Sequence, residues 1–297
     1  MQVNGIYNVL KPPGMTSHDV VDEVRKATGQ RRVGHAGTLD PAAAGVLPIL
    51  CGQAARLGEF LIEKEKGYRV EMVLGVVAST QDLTVPPDRV IDASGVPREE
   101  VEAAAAQFVG DIEQTVPAYS AVQVDGRRLY RMARRGKGTP VIKRRVRIIS
   151  LEILSMNRGP NPRVLMDVVC SKGTYIRTLC HDIGARVGPG AALGFLLRTR
   201  SGPFRLEDSV TLQELVSSPQ AALLPLAAAL EGHPSAVLCS RAAHLLHSGI
   251  KPGPGDFVSV PRAAEGEIVA ILAPGGELVA VGVLSPGNVI VKKVFPV

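Results

Sequence analysis

RVLMDVVCSKGTYIRTLCHDIGARVG, residues 163–188, changes its period halfway along. Its first part reads as a strand and SKGT as a tight turn. Beyond the turn, Ile176, Leu179, Cys180 and Ile183 recur at the spacing of one helix face. Strand, turn and helix meet at Tyr175 and Arg177. Strand and helix thus follow each other in one stretch, and an α+β class is expected.

The segments around it support the same class. Thr16 and Ser17 precede HDVVDEVRKATG, where Val20, Val21, Val24 and Ala27 keep helical spacing and Gly29 supplies a stop. GYRVEMVLG (67–75) alternates, with Tyr68, Val70, Met72 and Leu74 on one face and Arg69, Glu71 and Val73 on the other, which predicts a strand. Pro97 and the two acids of REEVEAAAAQFVG predict a helix opened by proline and closed by Gly110. After about residue 230 the texture shifts to short β-like runs, GIKPGPGDFVSVP, EIVAILAPGG, ELVAVGVLSPGN and VIVKKVF, parted by Gly/Pro turns. The expected division is therefore a catalytic-sized domain over 1–230 and a small β-barrel-like domain over 231–297.

The chain has 297 residues, 45% hydrophobic and 21% charged, and no apolar run approaches the ~18 residues of a membrane span. The start, MQVNGIYNVLKPPG, lacks a signal-peptide pattern, so a cytoplasmic location is expected. Cys51, Cys170, Cys180 and Cys239 are scattered without a CxxC pair, which argues for reduced, mostly buried thiols and against a zinc site or disulfide framework. Net charge is +6, yet Arg127 to Arg147 alone carries ten Lys or Arg and no acid, leaving the remainder of the chain at −4. Ten unrelieved positives repel one another unless an anion neutralises them, so a projecting basic insertion over about 119–149 is expected to meet one.

KPPGMTS (11–17), GHAGTLDPAAAGVLPI (34–49), GYRV (67–70), YSAVQVDGRRLYRMARRG (119–136), CSKGTYIRT (170–178) and LLRTRSGPF (196–204) together resemble, in the same order, the signature blocks of the TruB family of tRNA pseudouridine synthases. The resemblance implies a catalytic domain with a mixed, largely antiparallel sheet, a basic thumb insertion and a C-terminal RNA-binding module of PUA type. It implies isomerisation of uridine 55 in the tRNA T loop: the bond from ribose C1′ to uracil N1 breaks, the base turns, and C1′ rejoins at C5. Nothing is oxidised or reduced, so no cofactor is expected and no metal.

On the resemblance, Asp40 is the catalytic aspartate. Taken locally, Asp40 followed by Pro41 is equally a helix N-cap with proline at the first helical position, and only the neighbouring blocks favour catalysis. Arg177 aligns with the arginine that pairs with that aspartate, and Tyr68 with the tyrosine that stacks on the target base and takes part in proton transfer at C5. A carboxylate in a closed pocket needs such a cation to stay ionised. His35 corresponds to a histidine lying against RNA beside the flipped nucleotide, Leu196 to an apolar residue lining the base pocket, and Tyr175 to a neighbour of that pocket. Lys11 belongs to a Lys-Pro motif whose role is structural or RNA-facing. Arg127, Arg128, Arg131, Arg134 and Arg135 are expected to face phosphates, with Tyr130 available to stack on a base or ribose.

Two departures stand out. The common Leu-Arg-Arg-Thr is Leu196-Leu197-Arg198-Thr199 here, which removes one guanidinium. STQDLTVPP (79–87) keeps Asp82 but loses the final glycine of the usual turn, which predicts a reshaped loop. The expected partner is the tRNA T stem-loop, with no guide RNA, protein partner or membrane, and the chain is expected to be a monomer. An RNA chaperone that does not need Asp40, a nucleobase glycosylase that releases free uracil, and a guide-dependent synthase remain as alternatives.

Overall fold

The computed structural model describes residues 3–295 apart from 121, 125, 130, 131, 133–139 and 287. Tyr130, Arg131, Arg134 and Arg135 of the basic stretch therefore lie outside the described residues.

A nine-stranded sheet organises the first part of the chain. Its strands are β1 (Gly5–Lys11), β2 (Val33–His35), β3 (Ala44–Cys51), β4 (Lys66–Leu74), β7 (Gly110–Thr115), β10 (Lys143–Met156), β11 (Arg163–Cys170), β12 (Ala191–Ser201) and β13 (Phe204–Arg205). Two small ribbons complete the numbering, β5 (Val76–Val77) with β6 (Arg89–Val90), and β8 (Gln123–Val124) with β9 (Arg127–Arg128). The path runs β1-β3-β12-β4-β11-β10-β7, with β2 on β3 and β13 on β12. Every pairing is antiparallel except β3 with β12, so the expected mixed, largely antiparallel sheet is found.

Local chemistry explains the elements. Helix α1 (Ser17–Thr28) opens on a capping box in which the Thr16 hydroxyl accepts from the Asp19 amide while the Asp19 carboxylate accepts from that of Thr16, and it stops at left-handed Gly29. Its Val20, Val21 and Val24 are fully buried against Tyr7, Val9, Leu47 and Ile49 of β1 and β3, each contributing about 1.5–3 kcal/mol by leaving water. Strand β3 is buried along its whole length, as its unbroken apolar run requires. At Gly45 a Cβ would sit 2.2 Å from the Arg198 carbonyl oxygen. Only glycine allows β3 and β12 to meet there.

After the short α2 (Gly58–Ile62) comes α3 (Arg98–Ala106). Pro97 takes its N-cap position, and the helix ends at Ala106, earlier than the Gly110 stop read from sequence. Gly110, at φ +107°, instead makes the bend into β7. Helix α4 (Ile176–Val187) packs with α3 on the face of β4, β10, β11 and β12 through Leu179, Cys180 and Ile183, as the opening stretch predicts. A single turn and a half, α5 (Leu212–Ser217), is capped by its own Thr211/Glu214 box.

The last part forms a five-stranded sheet from β14 (Ser235–Leu238), β15 (Phe257–Ser259), β16 (Ile268–Leu272), β17 (Leu278–Ser285) and β18 (Asn288–Val294) in the order β15-β14-β16-β17-β18. Among the described residues nothing joins its two edge strands, so it is open and the barrel-like expectation is corrected. Sequence reading also missed helix α6 (Ser240–His247), whose eight residues offer only Ala242, Ala243 and Leu246 as a buried face. Ala270, Leu278, Val281 and Phe295 of this sheet region share one apolar cluster with Ile6, Val46, Leu50 and Leu230. Strands β1 and β3 are thus covered by α1 on one side and by the C-terminal segment on the other. No described helix is long and apolar enough to cross a membrane.

Candidate active site

The loop between β2 and β3 carries Asp40. No helix follows Pro41; the Ala43 amide donates back to the Asp40 carbonyl and the chain enters β3. The N-cap reading of Asp40 is therefore not realised, and its carboxylate is free for other work. It meets Arg177, whose Nε lies 2.9 Å from Asp40 Oδ2. The arginine side chain is 7% exposed and the aspartate 46%, so the pair has a buried cation and a carboxylate open to a cleft.

Arg177 is fixed from every side. Its Nη1 donates to the Thr80 carbonyl at 3.2 Å and approaches Asp82 Oδ2 at 3.4 Å, and its Nη2 donates to the Tyr119 carbonyl at 3.1 Å. Asp82 is itself held by the Thr80 hydroxyl at 2.8 Å and by the Thr84 amide and hydroxyl. One guanidinium thus bridges two carboxylates, and the Asp82 that survives in the altered 79–87 loop is the second. The backbone at the start of α4 is clamped by buried Gln114, whose side chain accepts from the Tyr175 amide at 3.0 Å and donates to the Tyr175 carbonyl at 3.2 Å. Neither Asp82 nor Gln114 was assigned a role from sequence. Their partners lie 95 and 61 residues away.

A cleft of ≈260 Å3 opens over this pair, lined by Asp40, Tyr68, Tyr175, Arg177, Leu196 and Arg198, with Gly37, Lys66, Ser120 and Lys172 also at its walls. Tyr68 on β4, Leu196 on β12 and Tyr175 at the entry to α4 therefore converge as expected. A larger hollow of ≈530 Å3 lies elsewhere, along β7 and β10 between Asp111, Glu113, Arg145 and Arg147. Its lining includes none of the converging residues. Burial pushes the Tyr68 phenol above its ordinary pKa, and the nearby Arg198 guanidinium opposes that shift.

Two sequence candidates sit outside the cleft wall. His35, on β2, is half-buried with Nδ1 lacking a partner, and burial followed by the Arg198 charge holds its pKa below the ordinary value. Lys11 is completely buried, and its ammonium donates to the carbonyls of Pro12, Met15 and Pro41. Of the two roles left open for it, the structural one fits, since it ties β1 to the residue after Asp40. Arg127 and Arg128 form strand β9 in the hairpin with β8. Leu197 is half-buried and not part of the cleft wall, so the guanidinium missing at that position is not missing from the cleft.

The buried lysines make a testable statement about pH. Burial lowers Lys11 and Lys66 from 10.5 to about 8, so between about pH 8 and 9 the unfolded chain binds more protons than the folded one and stability rises with pH. Beyond pH 9 the sign reverses, because the thiols of Cys51 and Cys170 are raised from 9.0 to about 12 and about 11 and Tyr7 from 10.0 to about 12. The thermal midpoint is expected to climb from pH 7.5 to a maximum near about 9 and fall above it. A steady decline from pH 7.5 would contradict this.

Comparison with known proteins adds to this geometry. A model described as TruB family pseudouridylate synthase (N terminal domain) matches residues 25–176, and one described as tRNA pseudouridylate synthase B C-terminal domain matches residues 177–231. Proteins named tRNA pseudouridine synthase B are 49% identical in Symbiobacterium thermophilum, over 84% of this chain and 84% of that protein, and 41% identical in Moorella thermoacetica, over 96% and 95%. A solved structure titled as an H/ACA RNP bound to a substrate RNA containing 2′-deoxyuridine is similar at TM-score 0.78 and 28% identity, over 98% of this chain and 85% of that one.

Proposed function

Because the chain belongs to the TruB family of pseudouridine synthases, we propose that it isomerises uridine to pseudouridine in tRNA, at position 55 of the T loop. The observation that carries this reading is the Asp40–Arg177 pair at the floor of a cleft that also holds Tyr68 and Leu196. Asp40 is the carboxylate at which the N1–C1′ bond opens, the bonding pair leaving on N1, and Arg177 holds and aims that carboxylate. Leu196 and Tyr68 grip the base while it turns. After C1′ joins C5, the C5–H electron pair re-forms the C5=C6 double bond, N1 takes up a proton, and the C5 proton passes to the Tyr68 oxygen. A uridine inside a folded loop cannot reach such a cleft unless it is flipped out of its stack, and His35 borders the path of the RNA beside it.

The basic stretch supplies the grip on the tRNA. Arg127, Arg128, Tyr130, Arg131, Arg134 and Arg135 belong to a thumb that is shorter than the 119–149 read from sequence, because Lys143 onward lies in β10 of the sheet, and residues 231–297 act as a second RNA-contacting unit of PUA type. Proteins named tRNA pseudouridine synthase B are 40–49% identical to this chain, against 28% for the H/ACA particle's chain, which supports action without guide RNA; a monomer in the cytoplasm belongs to the same reading. A T-arm transcript incubated with the purified protein alone should acquire one pseudouridine, detected as a carbodiimide-dependent stop of reverse transcription. Modification that requires an added guide RNA would overturn the stand-alone reading.

The thumb also sets a salt dependence. If about five of the six positives from Arg127 to Lys137 replace counterions on phosphates, affinity for the T-arm should fall roughly 100- to 500-fold between 50 and 200 mM salt. Filter binding at four salt concentrations checks it, and a flat response would remove the thumb from the interface.

A further inference from the structure

Arg198 has no role in the reading above, and its position is unusual. It is 1% exposed and lies directly across from Tyr68 in the β12–β4 ladder, so the two side chains share the face that lines the cleft. Its Nε donates to the Val46 carbonyl at 2.7 Å, and its Nη2 to the Gly37 carbonyl at 3.1 Å, with Nη1 at 3.5 Å from that of Thr38. Three of five N–H groups are thus spent on the loop that carries Asp40 and on the strand that anchors it. Tyr68 stands beside Arg198 on the same face of the cleft, and among the described residues Tyr68 is the one ionisable group whose interaction favours the arginine's charge. A buried cation is costly unless something anionic forms beside it.

We infer that Arg198 is a positioning residue for the proton-transfer step, holding the Tyr68 oxygen and the Asp40 loop in one frame and stabilising the phenolate that accepts the C5 proton. The inference rests on the proposed isomerisation. In the step it serves, Tyr68 goes from phenolate to phenol as it takes the proton and later returns that proton to solvent. The other groups that bear on Tyr68, Cys170 on β11 and Asp40 on its loop, both oppose its ionisation. Arg198 is the counterweight.

The test uses protein labelled throughout with fluorotyrosine, whose more acidic phenol brings the titration into a range where the fold persists. Of the five tyrosines, the 19F resonance missing from Tyr68→Phe identifies Tyr68. In Arg198→Met its midpoint should move up by about one pH unit or more while the other four stay in place. Arg198→Lys, which keeps a cation but not the planar fork, provides the measurement should the methionine variant not fold. Its midpoint should rise by a smaller amount, and its single-turnover rate should fall about 10-fold or more with T-arm affinity within about threefold. An unmoved Tyr68 midpoint in a folded variant would overturn the inference and leave Arg198 as packing. Failure of the wild type to form pseudouridine would instead defeat the functional reading, and the titration would still report on the Arg198–Tyr68 contact.

Discussion

Asp40→Asn is expected to reduce pseudouridine formation by about 10⁴-fold or more, the scale on which removing the central group of a catalytic set is felt. The substitution keeps shape. Its amide oxygen can still accept from Arg177 Nε, so the loop and the arginine should stay where they are. What disappears is the negative charge and the basic, nucleophilic oxygen facing the cleft. Since the Asp40 side chain is 46% exposed, little stability depends on it, and the thermal midpoint should move by no more than a few degrees. Affinity for the T-arm should stay within about twofold, because the phosphates are gripped elsewhere. Modification mapping beside a binding titration separates the two. Loss of binding in parallel with activity would mean that Asp40 shapes the interface and not the reaction.

Arg177→Met should have the second largest effect, on both rate and stability. In the folded protein Arg177 joins Asp40 to Asp82 and satisfies the carbonyls of Thr80 and Tyr119. Without it, Asp82, whose side chain is only 12% exposed, is left as a nearly buried charge. Breaking such a pair from one side costs on the order of 3 kcal/mol. Activity should fall about 10³-fold or more, since the remaining carboxylate is no longer aimed at the reacting bond. Asp82→Asn isolates the other half: the Thr80 and Thr84 contacts persist in part, so a loss of about 1–2 kcal/mol is expected with most of the rate retained. A denaturant melt and a single-turnover assay on each variant decide it. If Arg177→Met kept its stability, the two-carboxylate bridge would not be holding α4 to the 79–87 loop.

The contrast between these two aspartates explains what the sequence makes readable. Helix α1 is legible because its signals are all local: Thr16 and Asp19 make the cap, Gly29 the stop, and the valines the buried face. Strand β4 is legible from alternation alone, and Asp40, Tyr68, Arg177 and Leu196 come together as the motif order implies. Long-range pairings carry no such mark. That Asp82 closes on Arg177, that Gln114 clamps Tyr175, and that Lys11 turns inward to Pro41 follow from the three-dimensional path of the sheet. Arg198 offered one clue, since it falls two residues after Leu196 on the inward face of a strand, where a cation is out of place. Helix α3 ends before Gly110 because that glycine serves the bend into β7. The openness of the C-terminal sheet is not legible, because strand-like runs do not reveal whether their edges close.

The most direct test of the account is release of tritium from a T-arm RNA labelled at C5 of the target uridine, with the purified chain as the only macromolecule added. The account predicts release to water equal to the pseudouridine formed, present in the wild type and absent in Asp40→Asn. Tight binding of that RNA by the wild type with no release would contradict it.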